Sequence, residues 1–224
     1  MVILLFGPPG SGKGTQARRI TEWLHIPAIS TGELFRAEVA ANTSLGLEAR
    51  EIMARGVLVG DQIVNRMLER RLAKPDIPHG FLLDGYPRTV PQAEFLDQLL
   101  DHAGLREPTV LHLDVPRQAI LERLSGRRSC PVCSAIYNVA HTPPQVPGFC
   151  DRDRARLEIR EDDREEVVSA RLMEYDRRTD PLIRYYEKRE YYRIDGHRNS
   201  DEVAREIFEQ IEGRTVHVRA RRDT

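Results

Sequence analysis

Near the start of the chain, Gly7-Pro-Pro-Gly-Ser-Gly-Lys-Gly-Thr15 places glycines and one lysine at the spacing that holds nucleotide phosphates. In such a G-x-x-x-x-G-K turn the glycines let successive backbone N–H groups point inward as an anion nest. A helix beginning there adds its positive end. Gly10, Ser11, Gly12, Lys13, Gly14 and Thr15 are the residues of this cradle, with Lys13 as a mobile charge for the β- and γ-phosphates. Of 34 Lys and Arg residues only Lys13, Lys74 and Lys188 are lysine, so Lys13 stands out. Gly14 occupies the place usual for Ser or Thr, which moves the magnesium-facing hydroxyl to Thr15.

Two aspartates close apolar runs, Asp84 after Phe81-Leu-Leu and Asp114 within Thr109–Val115. Either stands where a carboxylate would orient magnesium-bound water. The runs alone do not choose between them, and the adjoining Gly85-Tyr-Pro-Arg88 favours Asp84.

Cys130-Pro-Val-Cys133 and Cys150-Asp-Arg-Asp153 have the knuckle spacing of a structural zinc ribbon, with Asp153 giving oxygen where a fourth thiolate is usual. His141, between the knuckles, is the alternative fourth ligand. Three thiolates and a carboxylate outweigh the charge of Zn²⁺, which suits a structural ion. A segment of under ~40 residues buries too little apolar surface to hold its own shape, and a closed metal site supplies that rigidity. An odd number of cysteines does not suggest a disulfide framework.

The elements that must position these groups follow from the apolar pattern. Val2–Phe6, Ile26–Ile29, Phe81–Asp84, Thr109–Val115 and Tyr191–Ile194 read as strands. Helices are predicted over Lys13–Leu24, through Glu33, Leu34 and Ala37 behind N-cap oxygens offered by Ser30 and Thr31, and over Leu45–Ala54, Asp61–Ala73, Pro91–Leu100 and Arg117–Leu124. Two more run from Glu161 to about Tyr186 and over Asp201–Ile211, while residues 127–157 lose the helical period. Strands alternating with helices imply an α/β layered fold whose ligands sit beyond the carboxyl ends of parallel strands.

Composition narrows the function classes. The chain has 40% hydrophobic and 31% charged residues with a formal net charge of −1, which disfavours a nucleic-acid coat or an acidic-membrane binder. No apolar run approaches the ~20 residues that cross a bilayer. The N-terminus has no basic region or cleavage site, so a soluble cytoplasmic protein is expected. Residues 213–224 are polar and read as a disordered tail.

Several motifs together carry a family resemblance. Gly12-Lys-Gly-Thr-Gln16, Ser30-Thr-Gly-Glu-Leu-Phe-Arg36, Phe81-Leu-Leu-Asp-Gly-Tyr-Pro-Arg88 with Gln92, Gly126-Arg-Arg128, Arg160-x-Asp-Asp163 and Arg171-Leu-x-Glu-Tyr175 resemble, in order and spacing, the adenylate kinase family. The resemblance covers about residues 1–212 and is closest to the long-lid, zinc-binding bacterial type. It implies a P-loop NTPase-type core, a five-stranded parallel sheet flanked by helices, over 1–29, 60–125 and 164–212. It further implies a helical AMP-binding insert over 30–59 and a zinc-bearing lid over 126–163. The implied reaction is Mg·ATP + AMP ⇌ 2 ADP in a monomer with no nucleic-acid or membrane partner.

By the same resemblance Arg36 and Arg88 hold the AMP phosphate, Arg123, Arg160 and Arg171 close over the transferring group, and Arg127 meets ATP. Ile136, Tyr137 and Arg198 line the ATP side. Thr31, Met53, Val57, Val59, Gly85 and Gln92, with Arg160 and Arg171 reaching across, belong to the AMP side. Thr31 and Gln92 match the positions that hydrogen-bond adenine, so AMP is expected over UMP, CMP and GMP. Catalysis would rest on Lys13, Arg88, Arg123, Arg160 and Arg171, with structural Zn²⁺ and ATP-bound Mg²⁺ as the ions. The rivals are another mononucleotide kinase or a GTP-using relative.

Overall fold

A computed structural model describes residues 1–54, 59–77 and 79–220. Its strands are β1 (Val2–Phe6), β2 (Ala28–Ser30), β3 (Phe81–Asp84), β4 (Thr109–Asp114), β5 (Arg127–Ser129), β6 (Ile136–Asn138) and β7 (Tyr191–Asp195). Its helices are α1 (Lys13–Leu24), α2 (Thr31–Ala40), α3 (Ser44–Ala54), α4 (Asp61–Leu72), α5 (Val90–His102), α6 (Arg117–Ser125), α7 (Glu165–Tyr186) and α8 (Ser200–Ala220).

β1 is buried at every position because it has a core on each side. Val2, Leu4 and Phe6 face a cluster with Leu68, Leu83, Leu96 and Tyr186, drawn from α4, β3, α5 and α7. Ile3 and Leu5 face the opposite cluster, with Ile20 of α1 and Val203 and Ile207 of α8. That is why the run is continuously apolar and not alternating. Five parallel strands in the order β2-β3-β1-β4-β7 form the sheet between these helical layers, as the resemblance implies. β1 has β3 on one side and β4 on the other, so the turns after β1 and β3 open into one crevice at the carboxyl edge.

Residues 127–158 form a separate small β module. β5 pairs antiparallel with β6, and bridges join Ser129 to Glu158 and Phe149 to Arg156. No helix among the described residues is long and apolar enough to cross a membrane.

Among the boundaries that differ from expectation, three have a physical reason in the structure. β2 begins at Ala28 and not Ile26, because Pro27 has no N–H to give a ladder and offers only its carbonyl, to Leu82. The helix expected from Glu161 is a single 3-10 turn over Glu161–Asp163, then an extended Arg164, then α7. The Asp162 and Asp163 side chains are drawn to arginines, which holds this turn apart from the helix. The tail expected to be disordered from Gly213 continues α8 to Ala220, since nothing between them breaks a helix already anchored by Ile207 and Ile211. Residues 221–224 lie outside the described residues.

One buried polar knot ties α7 to the sheet. His112 of β4 is buried, and its two ring nitrogens hydrogen-bond the hydroxyls of Tyr191 (2.5 Å) and Tyr175 (2.9 Å). Burial pushes its pKa down from 6.5 to about 4; Asp114 opposes the shift, while Arg193 and Lys13 add to it. The folded protein therefore keeps the ring neutral while the unfolded chain takes up a proton below pH 6.5. Stability from this source is full above that value and is lost as pH falls towards 4, by on the order of 3 kcal/mol. Thermal melts from pH 7 to 4.5 should show a falling Tm, and His112→Gln, less stable at pH 7, should lose less across the range. Parallel slopes for the two proteins would exclude His112 as the titrating group.

Candidate active site

The loop after β1 is shaped by backbone that only glycine adopts readily. Gly10 has φ +81°, and a Cβ there would lie 2.8 Å from Leu124 Cγ, so α6 packs directly on the bare turn. Lys13, the first residue of α1, folds back and donates from Nζ to the carbonyls of Gly7 (2.7 Å) and Pro8 (2.8 Å). Burial lowers its pKa to about 8; Asp84 opposes this, while Arg88, Arg171 and Arg127 lower it further. These groups act in one field, and Lys13 is still protonated at neutral pH.

The loop forms one wall of a cleft of about 880 Å³. Gly10 to Thr15, Asp84, Gly85, Arg36, Arg88, Arg123, Arg127, Ile136, Tyr137, Arg160, Arg171 and Arg198 all line it. Burial brings the pKa of Arg88 to about 10, with Arg171 adding to the shift, and that of Arg160 to about 10, with Arg36 and Arg127 adding. Arg123 staples the loop to the β7–α8 turn, donating to Ser11 O at 3.4 Å and Gly196 O at 2.9 Å. Asp84 faces this cleft; Asp114 instead pairs with Arg193, 2.6 Å away.

Two arginines are held by acids. Arg127 grips Asp163 through Nε at 2.7 Å and through Nη2, and the Asp163 side chain is 1% exposed. Arg171 pairs with Asp162 at 2.9 Å and donates to its carbonyl at 2.8 Å. Arg198, on the cleft wall, pairs with Asp195 at 3.6 Å and with Glu206.

The second wall is built on the turn after β3. Gly85 has φ +78°, and a Cβ there would come within 2.9 Å of Arg88 Nη2 and 3.2 Å of Thr31 Oγ1. The Gly85 carbonyl accepts from Arg88 Nε (2.7 Å) and from Thr31 Oγ1 (3.0 Å). Thr31 and Gln92 are buried just behind this wall. Gln92 accepts from the Arg88 backbone N–H at 2.7 Å and donates to Asp61 at 2.7 Å. Val59 is buried in the same core; Val57 and the side chain of Met53 lie outside the described residues.

In the β5–β6 module, Cys130, Cys133, Cys150 and Asp153 bring one ligand atom each to within 4.8 Å of all the others. Cys130 Sγ is 3.2 Å from an Asp153 oxygen, and Cys133 Sγ is 3.5 Å from Cys150 Sγ. The backbone N–H groups of Val132 and Cys133 point at Cys130 Sγ, each at 3.4 Å, as they would towards a thiolate. Edges of this length match a tetrahedron around an ion with bonds of ~2.0–2.3 Å. The donor set therefore fits Zn²⁺. His141 is not in the group and lines the cleft.

The sequence pattern described as Adenylate kinase matches residues 5–191. An adenylate kinase of Anaeromyxobacter dehalogenans (strain 2CP-1) is 51% identical over 189 residues, 84% of this chain and 88% of that protein. One from Caldanaerobacter subterraneus subsp. tengcongensis is 46% identical over 214 residues, 95% of this chain and 97% of its own. This chain belongs to the adenylate kinase family. It is a phosphotransferase with a P-loop, as its motifs imply.

Motif reading brought most of this adenylate kinase cleft together but missed three acids. Asp162 and Asp163, which hold Arg171 and Arg127, were visible as a doublet beside Arg160, where attention went to the arginine. Asp61 was read only as a helix start, although it anchors Gln92. The tight fit around Gly85 has a testable consequence. Gly85→Ala should raise KM for AMP about tenfold with KM for ATP little changed, and cost about 1–2 kcal/mol in stability. Parental kinetics in that variant would mean the turn has slack.

Proposed function

We propose that in this adenylate kinase ATP lies along Gly10–Thr15 and AMP against Arg36 and Arg88, with the phosphoryl group passing between them under Arg123, Arg160 and Arg171. The observation that carries this reading is the gathering of those cations, with Lys13, around one cleft whose two walls are the phosphate loop and the Gly85–Arg88 turn. Phosphoryl transfer asks mainly for in-line positioning and for positive charge where the equatorial oxygens gain negative charge. The acceptor phosphate is already an oxyanion, so a general base is unnecessary. Arginine suits the task because its planar fork grips phosphate oxygens in pairs and stays charged.

On the donor side Arg127, Ile136, Tyr137 and Arg198 would frame the nucleotide; on the acceptor side Thr31, Met53, Val57, Val59, Gly85 and Gln92 would frame the base. In adenylate kinases Mg²⁺ accompanies ATP and shields its phosphates; Asp84 would orient its waters and the Thr15 hydroxyl would face it, both residues lining the cleft. The core would comprise 1–29, 60–125 and 164–212, the acceptor insert 30–59 and the lid 126–163. Cys130, Cys133, Cys150 and Asp153 would hold one structural Zn²⁺ that gives the lid its shape. Three cysteines gathered as metal ligands suit a cytoplasmic setting, and the enzyme is taken as a monomer.

A coupled assay across ATP and GTP donors and AMP, UMP, CMP and GMP acceptors should show ATP and AMP preferred. Arg88→Lys, which keeps the charge and loses the fork, should lower kcat/KM for AMP about 100-fold. A loss under about threefold would remove Arg88 from the phosphate site. Metal analysis of protein purified without added metal should return about one zinc per chain, and Cys150→Ser should lose it. Zinc-free protein with an intact, cooperatively melting lid would overturn the metal assignment.

A further inference from the structure

Asp61 opens α4, at the positive end of the helix. Both carboxylate oxygens face α5: Oδ2 accepts from Thr89 Oγ1 at 2.8 Å and Oδ1 from Gln92 Nε2 at 2.7 Å. Thr89 is the N-cap of α5, its hydroxyl also accepting from the Gln92 backbone N–H at 3.3 Å. Gln92 Oε1 accepts from Arg88 N–H at 2.7 Å, and the residue is 2% exposed.

A side-chain amide can ordinarily turn over and exchange its oxygen with its NH₂ group. Here both neighbours forbid it. A carboxylate can only accept and a backbone N–H can only donate, so a turned amide would lose two buried hydrogen bonds and face a like pole at each end. Among the described residues, one N–H and one lone pair of Gln92 remain uncommitted, and their order is fixed.

That order matters for reading a base. Adenine offers an amino donor beside a ring-nitrogen acceptor, and cytosine offers the same order on a smaller ring. Guanine and uracil offer a carbonyl acceptor beside an N–H donor, the reverse. A locked amide serves one order only, and the wrong order leaves buried groups unpaired.

We infer that Asp61 sets the acceptor-base specificity of this kinase by locking the Gln92 amide in the orientation that suits adenine. The inference rests on the reading of Gln92 as part of the acceptor-base site. Asp61 touches no substrate; it is a positioning residue acting through Gln92.

The test is Asp61→Asn, whose amide can pair with Gln92 in either orientation and so preserves packing while removing the carboxylate's half of the lock, the Arg88 N–H holding the other half. Asp61→Ser, whose hydroxyl both donates and accepts, serves if the first variant does not fold. The ratio of kcat/KM for AMP to that for GMP should fall about tenfold, with UMP gaining likewise, CMP not gaining and KM for ATP unchanged. A proportional loss for all four acceptors would reduce Asp61 to a brace for α5 and overturn the inference. Gln92→Leu separates the two layers. If it disturbs the acceptor ratios and Asp61→Asn does not, Asp61 is no lock. If it leaves the ratios untouched, the acceptor-base reading of Gln92 fails and takes the inference with it.

Discussion

Like charges held close together are the constraint on which the rest of this structure depends. Lys13, Arg36, Arg88, Arg123, Arg127, Arg160 and Arg171 share one cleft. Each stands on a different element: Lys13 opens α1, Arg36 is in α2, Arg88 follows β3, Arg123 ends α6, Arg127 opens β5, Arg160 precedes the 3-10 turn and Arg171 is in α7. No single helix or loop could present so many cations at one point without tearing itself apart. A parallel sheet can, because it delivers the ends of many elements to one edge while a two-sided core fixes each of them. Burial of these cations, with their neighbours' charges adding to it, is the cost, and it lowers the pKa values of Lys13, Arg88 and Arg160. In the proposed arrangement nucleotide phosphates would offset that cost.

Two acids keep the arrangement stable meanwhile. Asp163 takes Arg127 and Asp162 takes Arg171, both on the short turn that joins the β5–β6 module to α7. Because breaking a buried pair costs far more than loosening an exposed one, these contacts also fix how the module meets the core. The module's regular structure is two three-residue strands beside the four-ligand cluster. The Tyr137 hydroxyl lies 3.5 Å from Cys150 Sγ and accepts from Asp151 N–H at 2.9 Å, while Tyr137 lines the cleft. One side chain thus joins the rigid knot of the module to the cleft wall.

Much of this was legible in the sequence, for identifiable reasons. β1, β3 and β4 are continuous apolar runs because burial on both faces leaves no room for alternation, and that signal is local. The phosphate loop and the cysteine knuckles depend on fixed short spacings, so they read directly. Asp84 against Asp114 could not be settled by pattern, since both end a strand; the difference is Arg193, a partner 79 residues away from Asp114 in sequence. The pairing of Asp61 with Gln92 was illegible for the same reason, the two being 31 residues apart and joined only by the packing of α4 on α5. The start of β2 was readable in principle, because Pro27 states it.

The two nucleotide sites rest on different physics. In the proposed arrangement the donor side would consist of backbone N–H groups, a lysine and arginines directed at phosphate, all of which tolerate any base. Its base-facing surface would include Ile136, 45% exposed, and apolar packing of that kind separates purines poorly. The acceptor wall is backed instead by buried side chains whose hydrogen-bonding partners are already assigned: Thr31 to Gly85, and Gln92 to Arg88 and Asp61. Groups committed in this way cannot adapt to a different ligand without leaving a polar atom unpaired. Helix-capping chemistry at Thr89 and Asp61 therefore has a second effect besides starting α5. It makes the acceptor wall rigid in its hydrogen-bonding order as well as in its shape, and discrimination follows from that rigidity more than from the number of contacts a substrate could make.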